Sequence, residues 1–168
     1  VTILFSGPPG VGKTACAEAI AHELGKPILV VNYAQTQDCY VGGTEKNIVK
    51  AFNEARRSEA VLVWDEADAM FYSRDAGHRT WEVRDVNVLL QQLERFEGVC
   101  ILTSNRKASL DPALGRRITL KIEFERPNQA ARREIWTRLV PSKMPLAEDV
   151  DFDALSEEDF TGGEIRIE

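Results

Sequence analysis

Eight residues near the N-terminus, Gly7-Pro8-Pro9-Gly10-Val11-Gly12-Lys13-Thr14, carry the spacing G-x-x-x-x-G-K-T between an apolar run (VTILFS, 1–6) and a helical pattern (KTACAEAIAHEL, 13–24). Glycines at such a junction let backbone N–H groups turn inward around phosphate oxygens, and the helix that follows adds the positive end of its dipole. Lys13 would reach the outer phosphates and Thr14 would hold Mg²⁺ through its hydroxyl. A Gly/Pro turn with a chance lysine would not require the strand before it and the helix after it. A second group capable of chemistry follows in VLVWDEAD (61–68), where Asp65 and Glu66 stand at the end of an apolar strand. That is the edge at which open α/β sheets bind ligands. A carboxylate buried at a strand end needs a partner, and Mg²⁺ is a sufficient one, so Asp65 is the candidate ligand. Glu66, next along, is placed to polarise an attacking water. Asp68 fits the ordinary role of an acid at a helix start.

The elements that must position these groups alternate along the chain. Strands are predicted at VTILFS (1–6), ILVV (28–31), AVLVW (60–64), VCILTS (99–104) and ITLKIEF (118–124). Between them lie helical patterns. Cys16, Ile20 and Leu24 recur at i+4; Ile48, Ala51, Phe52 and Ala55 make residues 45–57 amphipathic; Val86, Leu89, Leu90, Leu93 and Phe96 mark a longer helix. A further helix over 128–140 is closed by Pro141. Such alternation predicts a parallel sheet covered on both faces. Residues 141–155 read as an ordered, irregular connector, and TGGEIRIE as the start of a helix.

The totals narrow the classes. A chain of 168 residues, 43% hydrophobic and 29% charged, has the size and composition of one ordinary globular domain. The formal net charge of −6 argues against a general nucleic-acid binder, and acids surround the basic clusters EARRSE, LGRRI and AARRE. No apolar run is long enough to cross a membrane, and the charged-then-apolar layout of a signal peptide is missing. Cys16, Cys39 and Cys100 form no metal-spaced pair and are expected to be reduced in a cytoplasmic protein. His22 and His78 are solitary.

Three further segments complete a pattern. ILTSNR puts Asn105 at the end of the fourth strand, LDPALGRRI follows it, and YVGGTEKNIVKAF precedes the acids. Together with the Walker A motif at 7–14 and the Walker B acids, this order resembles the AAA+ ATPases, and within them the AAA clade. The resemblance covers nearly the whole chain. It implies an α/β P-loop NTPase sandwich of three layers with a five-stranded parallel sheet in the order 5-1-4-3-2. It also implies ATP and Mg²⁺ as cofactors, ATP hydrolysis, and a homo-oligomeric ring, usually a hexamer, in which each active site is completed by its neighbour. The substrate implied is a polypeptide that is remodelled, unfolded or translocated. Asn105 matches sensor 1, which positions the water or senses the γ-phosphate. Arg116 and Arg117 match the paired arginine fingers that reach into the next subunit's ATP, where a cation stabilises the charge of the transition state. The commoner family form has Pro-Gly between its two arginines; here they are adjacent, which leaves open which of them leads. Tyr40-Val41-Gly42 resembles pore loop 1, an aromatic–aliphatic–glycine step lining the central channel, where a flat aromatic grips any polypeptide backbone.

Rival readings rest on fewer residues. D-E-A-D (65–68) also spells the helicase box, but the chain has room for one nucleotide core, its fourth strand ends in Thr103-Ser104-Asn105 rather than Ser-Ala-Thr, and its charge is acidic. A DNA-handling AAA+ protein is disfavoured by the Tyr-Val-Gly step, and a non-hydrolysing scaffold by Glu66 and the arginine pair. With no initiating Met and a last segment that reads as an incipient helix, the chain is expected to be a fragment. It would be a single AAA+ α/β subdomain over 1–168 whose residues 141–168 hold the connector and the start of a truncated helical lid. Gly163 falls where other AAA+ groups keep an arginine. Such a fragment is expected to bind nucleotide through its phosphates and Mg²⁺, loosely at the base, and to hydrolyse it slowly.

Overall fold

Short runs of β-branched and apolar residues form five strands: β1 (Thr2–Ser6), β2 (Ile28–Asn32), β3 (Val61–Asp65), β4 (Cys100–Ser104) and β5 (Leu120–Glu123). The computed structural model describes residues 1–32, 43–68, 80–105, 112–141, 144–145 and 150–166. The Tyr40-Val41-Gly42 step therefore lies outside the described residues. All strand pairs are parallel, and the sheet order is β2-β3-β4-β1-β5, the 5-1-4-3-2 order that the AAA+ resemblance implies. Strands buried on both faces need continuous apolar runs. Val61 to Trp64 and Cys100 to Ser104 supply them, and every one of these residues is buried.

The chain divides into two compact units, Val1–Ser6 with Lys13–Glu123, and Gly7–Gly12 with Phe124–Glu168. Among the described residues of the first unit the helices are α1 (Lys13–Glu23), α2 (Gly43–Ser58), α3 (Thr80–Arg95) and the single turn α4 (Pro112–Gly115). Alternation along the strands sorts the core. Leu4, Leu62, Trp64, Cys100 and Leu102 pack with Ile48, Phe52 and Ala55 of α2 and with Val86, Leu89, Leu90 and Leu93 of α3. Phe52 is fully buried, its ring 5.8 Å from that of Trp64 and 5.4 Å from that of Phe96. α1 packs on β3 and β4. The structure corrects the reading of its buried face. That face is Lys13, Ala17 and Ala21, whereas Cys16 and Ile20 are half-buried and Leu24 is 49% exposed. Small residues let a helix approach a sheet closely, so the alanines make the contact and the larger side chains flank it.

In the second unit α5 (Gln129–Leu139) is capped by Asn128, whose side chain accepts from the Ala131 N–H at 2.9 Å. Arg132 ties this helix to the chain on either side, donating to the carbonyls of Pro127 at 2.6 Å and Ser156 at 2.8 Å. The stretch expected to be irregular up to residue 155 instead enters a helix, α6 (Phe152–Glu157), because Asp151 caps it through the Asp153 N–H at 2.8 Å. The helix start expected in TGGEI is present as α7 (Gly162–Ile165). A capping box opens it: Thr161 Oγ1 accepts from the Glu164 N–H, and the Glu164 carboxylate accepts from the Thr161 N–H. The Thr161 N–H, and after it the Thr161 hydroxyl, hold the Glu164 carboxyl below the usual carboxylate range, with a smaller contribution from the charge of Arg126. Among the described residues no helix is long and apolar enough to cross a membrane.

Truncating Phe52 would open a cavity between α2, α3 and the sheet. Phe52→Ala is expected to lower the unfolding free energy by about 3–5 kcal/mol, read as a shift in the urea midpoint at unchanged slope.

Candidate functional site

Parallel register brings the carboxyl ends of the strands to one edge of the sheet. Asn32 of β2 stands opposite Asp65 of β3, and Ser6 of β1 opposite Ser104 of β4. Lys13 opens α1 in the same unit and is only 7% exposed. Its ammonium donates to Asn105 Oδ1 at 3.0 Å. Burial lowers the proton affinity of Lys13, and the nearby charges of Asp65 and Asp68 oppose that shift. A cation in the first turn of a helix sits at the wrong end of the dipole for its own stability. The arrangement is suited to an anion that meets the ammonium and the helix N-terminus together.

Thr103 knits the acids to β4. Its hydroxyl donates to Asp65 Oδ1 at 2.5 Å and accepts from the Glu66 N–H at 3.1 Å, while its carbonyl accepts from the Ala67 N–H at 2.9 Å. Glu66 itself has φ +54°, a left-handed backbone that costs a non-glycine residue about 1–2 kcal/mol. Strain of this kind persists where the surroundings over-determine a side chain's position. The exposed Glu66 carboxylate accepts from Asn32 Nδ2 at 3.2 Å. Asp68 turns its carboxylate to the end of β4, accepting from the Ser104 hydroxyl and, at 2.7 Å, from the Asn105 N–H. Asn105 is thus held by Asp68 through its backbone while its side chain meets Lys13. Sequence reasoning missed three of these residues, Asn32, Thr103 and the positioning part played by Asp68. Polar residues closing apolar strands, as in VVN and ILTSN, were the available signal.

The phosphate-loop residues Gly7 to Gly12 belong to the second unit. Gly7 has φ +143°, and a Cβ there would lie 2.1 Å from the Phe124 carbonyl oxygen. Gly10 has φ +76°, a Cβ there would lie 2.6 Å from Thr161 Oγ1, and its carbonyl accepts from the Gly163 N–H at 2.8 Å. Only glycine meets both demands at either position. Pro8 and Val11 are half-buried, and Pro9 and Gly12 exposed. Thr14, in the first unit, is half-buried one residue after the lysine.

The donors fit Mg²⁺ by their chemistry. Asp65 and Thr14 offer hard oxygen ligands, and among the described residues no group of three or more His, Cys, Asp or Glu could hold a metal unaided. Mg²⁺ commonly takes one or two protein oxygens and draws the rest of its shell from phosphate and water. The structure brings Lys13, Asp65, Glu66 and Asn105 to one edge. Arg116 and Arg117 stand elsewhere in the unit, after α4. Arg116 is exposed, whereas Arg117 pairs with Glu94 of α3 at 2.5 Å.

A parallel sheet of this order, flanked by helices on both faces and followed along the chain by a G-x-x-x-x-G-K-T loop after β1, defines a P-loop NTPase fold. The chain belongs to the AAA family: the family model described as "ATPase family associated with various cellular activities (AAA)" matches residues 3–126. An uncharacterized AAA family ATPase of Sinorhizobium fredii is 37% identical over 167 residues, covering 98% of this chain and 50% of its own length. The ATP-dependent zinc metalloprotease FtsH 3 of Sphaerobacter thermophilus is 37% identical over 163 residues, covering 92% of this chain and 33% of its own length. The human ATPase family gene 2 protein homolog B is 36% identical over 165 residues, covering 92% and 22%. The chain therefore spans half or less of the curated relatives it matches.

Asp68→Ala would leave the Ser104 hydroxyl and the Asn105 N–H without their charged acceptor. Bonds of that kind contribute about 1.5–3 kcal/mol, and a loss of that order is expected in chemical denaturation. Glu66→Gln, at an exposed carboxylate, should stay within about 0.5 kcal/mol of the parent.

Proposed function

We propose that this chain is the ATP-binding and ATP-hydrolysing module of an AAA ATPase that works in a homo-oligomeric ring on polypeptide substrates. The observation that carries the reading is the buried Lys13 ammonium, 3.0 Å from Asn105 Oδ1, on the sheet edge that also holds Asp65 and Glu66. Family membership supports ATP as the nucleotide, as does the ATP-dependence in the name of the FtsH 3 relative.

In this reading the loop Gly7–Gly12 wraps the phosphates with its backbone N–H groups, and Lys13 neutralises charge on the outer two. Asp65 and Thr14 would hold Mg²⁺, which when bound neutralises charge on the phosphate oxygens. Glu66 orients the attacking water and takes its proton, and the side-chain amide of Asn32 steadies that carboxylate until water competes for it. Asn105 leaves Lys13 for the γ-phosphate or the water, with Asp68 holding its backbone in place. The arginines after α4 complete the site of a neighbouring subunit, and Tyr40 with Val41 and Gly42 grips the polypeptide. The net charge of −6 disfavours nucleic acid as the substrate.

The test is ATP turnover by the full-length protein as a function of protein concentration. Specific activity that climbs with concentration supports sites completed between subunits, and concentration-independent turnover in a monomer would refute that part of the reading. Glu66→Gln is expected to bind ATP like the parent while turnover falls about 10²–10⁴-fold, the usual contribution of a general base. Loss of binding instead would remove Glu66 from the water-activating role.

A further inference from the structure

The adjacent arginines Arg116 and Arg117 are equivalent in the sequence and unequal in the fold. Leu114 of α4 is fully buried, and Ile118 packs against the same core, so the residues between them are held at both ends. Within that short span Arg117 turns inward. Its side chain is 27% exposed, Nη2 pairs with Glu94 Oε1 at 2.5 Å, and Nη1 donates to the Ala113 carbonyl at 2.5 Å. Its backbone N–H donates to the Leu114 carbonyl at 2.9 Å, and its buried Nε has no acceptor among the described residues. The guanidinium is thus spent on closing α4 and fastening it to α3. Arg116 is exposed and, among the described residues, carries no hydrogen bond or ion pair.

Resting on the inter-subunit reading above, we infer that the two arginines divide the work: Arg116 alone is the cation presented to the neighbouring subunit's nucleotide, and Arg117 is a positioning residue that acts through Glu94. A finger must be free to meet an incoming phosphate with its fork of donors, and it must also start from a fixed backbone. Arg116 meets the first condition. The Arg117–Glu94 pair and the buried Leu114 supply the second, so Glu94, far from the phosphate motif in sequence, becomes part of the apparatus that aims the finger. Neither the arginine pair as a motif nor the family's Pro-Gly spacing would single out Glu94.

The decisive comparison is steady-state ATP turnover of the full-length protein carrying Arg116→Ala, Arg117→Ala, Arg117→Glu, Glu94→Ala, the double variant Glu94→Ala/Arg117→Ala, and the charge exchange Glu94→Arg/Arg117→Glu. Arg116→Ala should lower kcat about 10³-fold or more with KM nearly unchanged. Arg117→Ala and Glu94→Ala should each lower it roughly 10- to 100-fold by misplacing the finger, and the double variant should fall no further than the worse single one. The exchanged pair should recover activity over Arg117→Glu alone, which a side chain that must itself touch phosphate would not allow. A loss in Arg117→Ala as deep as that in Arg116→Ala, with Glu94→Ala harmless, would overturn the division. Mixing Arg116→Ala subunits with Lys13→Ala subunits separates this from the reading beneath it. Recovered turnover supports both. No recovery despite the predicted ranking would overturn action between subunits while leaving the division standing.

Discussion

Lys13 places a cation in the first turn of α1, where the helix dipole already presents positive charge, and burial leaves it 7% exposed. Nothing in the stability of the helix asks for that residue there. The surrounding groups make it tolerable. Asn105 accepts from the ammonium, and the charges of Asp65 and Asp68 partly offset the burial that lowers its proton affinity. In the reading proposed above, phosphate takes over the ammonium from Asn105, and that exchange would free the asparagine for a second task on the same edge.

The position of that edge is fixed by packing elsewhere. Side chains alternate along a strand, so a slip of one residue in β3 would carry Leu62 and Trp64 out of the core they share with α2 and α3 and put Val61 and Val63 in their place. Trp64 is fully buried, and its ring contact with Phe52 belongs to the same cluster that holds Leu102. With Trp64 opposite Leu102, the next residues on the two strands are Asp65 and Thr103. The hydroxyl of Thr103 can then serve both Asp65 and the backbone of Glu66, and the unusual φ of Glu66 is held by hydrogen bonds on both sides of it. Apolar contacts on one face of the sheet thus decide where its carboxylates stand.

This explains what was legible in the sequence. The parallel strands follow from apolar runs that are local, and the structure places them within a residue or two of those runs; their order rests instead on the resemblance to the AAA+ ATPases, since no local spacing records which strands pair. The buried face of α1 was misread because Cys16, Ile20 and Leu24 are the more hydrophobic set, whereas close packing on β3 and β4 selects the smaller Ala17 and Ala21. Hydrophobicity ranks transfer from water, not fit against a flat sheet. Asn32 and Thr103 were missed for another reason. Each acts across a strand pairing, on Glu66 and Asp65 respectively, and no spacing within one segment records a contact made between segments. Arg117 is the same case: its partner Glu94 lies on another helix.

Gly163 shows how one position can exchange one kind of interaction for another. The resemblance to the AAA+ ATPases implies that it falls where other AAA+ groups keep an arginine, a side chain that could reach phosphate. Here its N–H donates to the Gly10 carbonyl at 2.8 Å, and a Cβ at this position would meet Gly10 Cα at 3.0 Å. The contribution of position 163 is therefore made by backbone, to the loop itself rather than to its ligand. Thr161 reinforces it from beside, being 3% exposed, close enough to Gly10 to forbid a side chain there, and held by its capping box with Glu164. Glycine loses more conformational entropy on ordering than any other residue, and three of the six residues Gly7–Gly12 are glycine. Fastening Gly10 to the first turn of α7 before the ligand arrives removes part of that cost from binding. It also means that any movement of α7 must either carry the loop with it or break the bond to Gly10.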